Sequence, residues 1–229
     1  MSGALPEAVV FDFDGLVVDT ETPIFQAYEA ALAELGHAIT VQAWAACIGL
    51  GDADSFAALC DAVGADLDRT ELDAAYRRQD RSWRDTQPAL PGVEALLDEL
   101  DGAGIPAGIA SSSPTDWIEG HLGRLGLLDR FATIAGEERV GGRTKPLPDT
   151  YLLACADLGA EPTRSVALED SGPGCRAALA AGMTVVVVPS TITRHTDLSH
   201  AHHRVPSLEH VGLTDLAGLL GSAGRAEAG

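Results

Sequence analysis

Basic residues are scarce in this chain. The 15 Lys plus Arg stand against 34 Asp plus Glu, a formal charge of −19 at pH 7. A field of that sign repels polyanions at long range, which sets nucleic acid aside as a partner. Cysteine is sparse as well: Cys47, Cys60, Cys155 and Cys175 show no C-x-x-C spacing. That removes the usual signature of a zinc site or a disulfide framework and leaves reduced, mostly buried thiols as the expectation. Long apolar runs are missing. Val185 to Val188 is the longest worth noting, far short of the roughly 20 residues a membrane span needs. The N-terminus also lacks the basic-then-apolar pattern of a signal peptide, so the expectation is a soluble, cytoplasmic protein with no membrane partner.

What is present supports a large core. Apolar residues make up 46% of the 229 and charged residues 21%, and a folded chain of this length hides roughly 70% of its unfolded surface. The prior of about 150 residues per domain allows one large domain, or one carrying a smaller inserted one. No internal repeat is visible, and the Ala/Gly-rich end from Gly218 to Gly229 reads as a frayed helix or tail.

Five short apolar runs end in a polar residue or glycine: Val9 to Phe11, Ala107 to Ala110, Phe131 to Ile134, Val166 to Leu168 and Val185 to Val188. These predict buried strands. Helical stretches alternate with them, over Val93 to Leu100, Trp117 to Leu125, Thr150 to Leu158 and Gly174 to Ala181, with Pro and Gly near their ends. The alternation predicts an α/β fold with a mainly parallel, doubly wound sheet. Glu21 to Arg84 breaks the rhythm with Ala, Leu and charged residues at helical spacing and no strand pattern, and reads as an inserted helical domain. Within it, Tyr76 and Trp83 fall seven apart on one face and are expected to pack inside the insert. Arg77, Arg81 and Arg84 form a second stripe, read as a solvated, salt-bridged face with an anion-facing role left open.

Four strand ends or adjoining loops carry chemistry. The first strand runs into Asp12-Phe13-Asp14-Gly15, where period-2 alternation places both carboxylates on one side. The carboxyl edge of a parallel sheet is where ligands bind, although a polar strand end with Gly15 making the turn also satisfies the pattern. Ser111-Ser112-Ser113-Pro114 precedes a helical stretch, where hydroxyls and free N–H groups cradle an anion or simply cap a helix. Lys145 lies in a loop as Thr144-Lys145-Pro146, and Glu169-Asp170-Ser171-Gly172 follows another strand. Together they make a kit for magnesium-assisted phosphoryl transfer. Carboxylates of Asp12, Asp170 and Glu169, with the main-chain carbonyl of Asp14, are hard oxygen ligands suited to Mg²⁺. Lys145 and Ser111 suit the phosphoryl oxygens. One Asp can attack phosphorus while the other handles the proton.

With DFDGLVVDTE, the ASSS strand end, TKPLPDTY and ALEDSGPG in order, the sequence resembles the haloacid dehalogenase superfamily of hydrolases. Its insert resembles the helical cap of the subgroup that includes phosphoglycolate phosphatase and beta-phosphoglucomutase. The resemblance implies a Rossmann-like core over residues 1–18 and 88–229 and a cap over 19–87. It also implies Asp12 as nucleophile, Asp14 as acid/base, Ser111, Ser112 and Lys145 as phosphate binders, and Glu169 with Asp170, beside Asp12 and Asp14, as the Mg²⁺ site. A cis Lys145-Pro146 bond is a further implication.

Asp14 argues against dehalogenation, and a lysine-free insert argues against phosphonate cleavage through a Schiff base. A sugar phosphomutase shares the four motifs, but Ile24 and Asp52 stand where that relative carries a histidine and a phosphate-gripping arginine; Arg78 matches a substrate-facing basic position. A phosphoacceptor switch module is the non-enzyme alternative, opposed by motif order and by the insert. The late histidines His195, His200, His202, His203 and His210 are read as a surface loop leading to a short last strand. The expectation is therefore a monomeric, Mg²⁺-dependent phosphatase of a small phosphorylated metabolite.

Overall fold

The computed structural model describes residues 4–48 and 52–226. Six strands, β1 (Val9–Phe11), β2 (Ala107–Ala110), β3 (Thr133–Ala135), β4 (Val166–Glu169), β5 (Thr184–Val187) and β6 (His203–Arg204), form one sheet in the order β3-β2-β1-β4-β5-β6. Every neighbouring pair is parallel. A parallel sheet is buried on both faces, and the strands show it: Val9 and Phe11 join one apolar cluster with Leu97 and Ile118, whereas Val10 joins another with Tyr151 and Ala178. Each fully buried side chain of this size contributes about 1.5–3 kcal/mol relative to exposure.

After β1 the chain makes five helices, α1 (Glu21–Glu34), α2 (Val41–Ala45), α3 (Asp52–Val63), α4 (Arg69–Arg78) and α5 (Trp83–Thr86), before it comes back alongside Val17 and Val18. No strand interrupts them among the described residues. Thr40 and Asp68 cap α2 and α4 by accepting from the amides of Ala43 and Glu71, and Phe25, Leu32, Trp44, Leu59 and Leu72 build a separate apolar cluster. The outgoing and returning segments lie side by side: Val18 bridges Ala89, and Leu90 N donates to Val17 O at 2.8 Å. The sheet layers are then completed by α6 (Val93–Ala103), α7 (Thr115–Leu125), α8 (Asp149–Leu158), α9 (Gly172–Ala180) and α10 (Leu213–Ala226).

Three expectations need correction. The third strand begins at Thr133, paired with Gly108, instead of Phe131. Phe131 follows a tight turn at Leu128–Arg130 and packs edge-on against Phe11 with ring centroids 5.5 Å apart. Tyr76 does stack inside the insert, on Tyr28 at 4.3 Å, but Trp83 turns outward onto Trp117 and His121 of α7, at 6.1 and 6.4 Å. The arginine stripe does not act as one face. Arg77 is exposed on its own helix, Arg81 lies over the Tyr76 ring, and Arg84 lies over Trp117.

The Lys145-Pro146 bond is cis, and all four cysteines are free, Cys60 being only half-buried. The late histidine segment leads into β6, with His202 Nδ1 accepting from Val185 N. Among the described residues the histidines form no metal-type group, and no helix there is long and apolar enough to cross a membrane.

Candidate active site

β1 lies at the point where the strand order changes direction, between β2 and β4, so the carboxyl ends of these three strands open into one crevice. Asp12 extends the pairing of β1, its amide donating to Leu168 O at 2.9 Å. Phe13 is driven into the core, and the chain turns at Gly15, whose φ of +83° suits glycine. A side chain at Gly15 would also collide with Asp170 Oδ2. The turn presents Asp14 to the same crevice as Asp12.

The two acids have different partners. Asp12 is 6% exposed, and Lys145 Nζ donates to its Oδ1. The same ammonium donates to Glu169 Oε1 at 2.6 Å. Asp14 is held by other donors: Ser113 Oγ at 2.5 Å on Oδ2, Thr20 Oγ1 at 2.8 Å and Trp117 Nε1 at 3.0 Å on Oδ1. Ser113 belongs to the serine run that the sequence marks as an anion cradle or helix cap, whereas Thr20 and Trp117 carry no such signal. Ser111 is buried and lines the cavity, its Oγ accepting from Ser113 N, and Ser112 is an exposed lining residue.

The acid pair after β4 divides in the same way. Glu169 is fully buried and both of its oxygens are occupied: Oε1 accepts from Lys145 and from Tyr151 Oη at 2.6 Å, Oε2 from the amides of Asp170 and Ser171 and from Ser171 Oγ. α9 begins against it, and a side chain at Gly174 would run into the Glu169 carboxylate. Asp170 receives one side-chain bond, from Thr193 Oγ1 at 3.3 Å, and lines the cavity.

Asp12, Glu169 and Asp170 offer oxygens within 4.8 Å of one another. Burial pushes the Asp12 carboxyl up to about 7, with Glu169 and Asp14 adding to the rise and Lys145 opposing it. Burial and the neighbouring carboxylates hold Asp170 well above its ordinary value. Burial alone would lower Lys145, but Asp12 and Glu169 outweigh it and hold the ammonium above its usual range. Three buried carboxylates against one cation leave a surplus of negative charge in a low-dielectric site, which is the charge balance a divalent cation corrects. The donors are all hard oxygens. Glu21, from the start of α1, adds a further carboxyl at the cavity wall, pushed up to about 8 by burial and by Asp14, Asp12 and Asp19; its position was not anticipated.

The cavity beside these residues has a volume of about 760 Å³, and Ile24, Ile48 and Arg84 of the helical segment also line it. Arg78, the basic residue expected to face substrate, instead pairs with Glu34 at 2.8 Å on the exposed side of α4. Asp52 begins α3, but its side chain, and Gly49 to Gly51, lie outside the described residues.

A parallel sheet of this order, with acids at the ends of its two central strands and a lysine between them, defines a hydrolase of the Rossmann-like α/β class. The model of the family described as haloacid dehalogenase-like hydrolase matches residues 9–188, and the chain belongs to that family. YhcW of Bacillus subtilis (strain 168) is 36% identical over 217 residues, covering 94% of this chain and 98% of that protein. Hexitol phosphatase B of Escherichia coli (strain K12) is 32% identical over 203 residues, 80% of this chain and 83% of that one. Among solved structures, a HAD family hydrolase from Deinococcus radiodurans R1 with bound phosphate and sodium superposes with a TM-score of 0.77 at 30% identity, covering 94% of this chain and 98% of that chain.

Proposed function

We propose that the chain is a Mg²⁺-dependent phosphatase that hydrolyses a small phosphate monoester, a sugar phosphate or similar metabolite, through an aspartyl phosphate on Asp12. The observation that carries this reading is the division of labour between Asp12 and Asp14: one carboxylate lies against Lys145, the other is oriented by three separate donors. Kinship with a hexitol phosphatase supports the substrate class. In the same reading residues 19–87 are a cap over a core of 1–18 and 88–229, because side chains of the helical segment wall the cavity. The protein acts as a cytoplasmic monomer.

Asp12, Asp170 and the main-chain carbonyl of Asp14 would hold the magnesium ion; Glu169, with both oxygens engaged, fixes Lys145. When bound, the ion supplies charge neutralisation and Lewis acidity at the phosphoryl oxygens. An oxygen of Asp12 forms a bond to phosphorus as the bond from phosphorus to the ester oxygen breaks. Asp14 gives its proton to the departing oxygen, then takes one from the water that attacks the aspartyl phosphate, releasing inorganic phosphate and restoring both acids. Lys145 and the Ser111 and Ser112 segment bind the phosphoryl oxygens and stabilise the charge that builds on them. The wall of the helical segment keeps bulk water from the intermediate.

Phosphate release from a panel of monoesters, with Mg²⁺ and with EDTA, tests the reading, with beta-glucose 1-phosphate followed for isomerisation. Metal-dependent release that disappears in Asp12→Asn is the expected result. Release indifferent to EDTA and to that substitution would overturn it. Isomerisation outrunning release would point to a mutase, and a persistent phosphorylated Asp12 without turnover to a switch.

A further inference from the structure

Arg84 is an unpaired cation at the cavity wall. It lines the same cavity as Asp12 and Asp14, yet among the described residues its guanidinium makes no hydrogen bond or ion pair. Its Nε is buried without a partner. Five carboxylates line the cavity, Asp116 among them, and in a chain with 34 acidic residues an arginine facing such a wall without pairing has a guanidinium left over for a ligand. Its place is fixed by aromatic contacts: the guanidinium carbon lies 4.9 Å from the centre of the Trp117 ring and 5.6 Å from that of Trp83. Stacking on two indoles orients the planar fork without using its donors.

The same Trp117 donates to Asp14, so Arg84 sits one indole ring away from the acid that serves the departing oxygen. Lys145, the other cation lining the cavity, is committed to Asp12 and Glu169. The cavity is therefore cationic twice: once at the phosphoryl group and once beyond the leaving oxygen.

Resting on the phosphatase reading, we propose that Arg84 is a specificity-determining residue that binds an anionic group carried by the leaving group itself, a carboxylate or a second phosphate. Substrates with such a group are preferred over esters of the same skeleton with a neutral end. A fork of N–H donors matches either anion in bidentate fashion.

Two matched pairs separate the sources of the anion. 3-Phosphoglycerate against glycerol 3-phosphate tests the carboxylate, and fructose 1,6-bisphosphate against fructose 1-phosphate tests the second phosphate. The ratio of kcat/KM within each pair is measured for the wild type, Arg84→Gln and Arg84→Lys. The wild type should favour the anionic member of at least one pair. Arg84→Gln should cut that ratio by roughly tenfold to a hundredfold, the worth of a hydrogen bond to a charged group, and Arg84→Lys should restore part of it. Equal losses on both members of each pair, or no wild-type preference in either, would overturn the assignment while leaving phosphatase activity standing. The same ligands bound to Asp12→Asn with Mg²⁺, with and without Arg84→Gln, give a calorimetric answer that needs no turnover. Absence of hydrolysis of every ester by the wild type would instead sink the phosphatase reading, and unchanged affinity for the anionic ligands on removing Arg84 would sink this one.

Discussion

Trp117 Nε1 donates to Asp14 Oδ1 at 3.0 Å, tying a residue of α7 to an acid 103 positions earlier in the chain. The bond fixes the orientation of the proposed proton donor from outside its own strand. Trp117→Phe keeps an aromatic ring and removes the donor, together with part of the surface that Arg84 rests on, leaving Thr20 and Ser113 in place. Its cost should be roughly tenfold in kcat for alkyl phosphates, the scale of one hydrogen bond to a charged group, and smaller for p-nitrophenyl phosphate, whose leaving oxygen needs no proton. A loss of the same size for both esters would count against a positioning role.

The parts of the fold and site that were legible in the sequence are the local ones. Buried strands announce themselves as short apolar runs, and the residues just past their ends are fixed by the strands, so Asp12, Asp14, Ser111, Glu169 and Asp170 could be placed together once a parallel sheet was inferred. What remained hidden depends on side chains meeting across long separations. Ser113 and Trp117, at the start of α7, reach Asp14 from 99 and 103 positions away and meet Thr20 there, six positions on, and no periodicity encodes that. Helical spacing from Tyr76 to Trp83 and Arg84 assumes one continuous helix, whereas α4 ends at Arg78 and α5 starts afresh at Trp83 beside α7. Lys145 is itself a signal, the single lysine among 229 residues: a chain with arginine at its other basic positions has its one ammonium at the junction of Asp12 and Glu169.

Asp14→Asn keeps the shape of the side chain and removes its proton chemistry. Steps that need proton transfer should slow most, so the loss in kcat should grow with the pKa of the leaving alcohol, toward the 10²–10⁴-fold typical of a missing general acid. A series of aryl and alkyl phosphates gives the slope directly. A flat line across the series would show that Asp14 carries no proton to the departing oxygen.

Lys145→Met should destabilise the metal-free protein. The substitution fills a similar volume but leaves Asp12 and Glu169 buried without their cation, a change that costs about 3–5 kcal/mol when one partner of a buried pair is lost. Urea unfolding in EDTA measures it. Because the surplus negative charge also grows, Mg²⁺ should recover more stability in Lys145→Met than in the wild type. A variant as stable as its parent would mean that Lys145 is not what balances Asp12 and Glu169.

The acid cluster makes stability fall with rising pH when no metal is bound. Asp12 has an ordinary value of 3.8 and is pushed to about 7 in the fold, and Glu21 moves from 4.5 to about 8. Between these limits the folded chain holds more protons than the unfolded one, so this contribution is present in full below about pH 4 and is lost as pH rises through 7 and 8. Mg²⁺ must displace the Asp12 proton at low pH but meets a ready carboxylate at high pH, so its stabilising increment should be larger at pH 8 than at pH 5.5. Melting temperatures across this range, with EDTA and with saturating Mg²⁺, test both signs. Asp12→Asn isolates the residue: it should reduce the metal-free slope between pH 5 and 7, Glu21 and Asp170 keeping the remainder, and weaken the pH dependence of the magnesium increment. An unchanged slope in that variant would place the pH-sensitive charge elsewhere in the 34 acidic residues and remove Asp12 from the cation site.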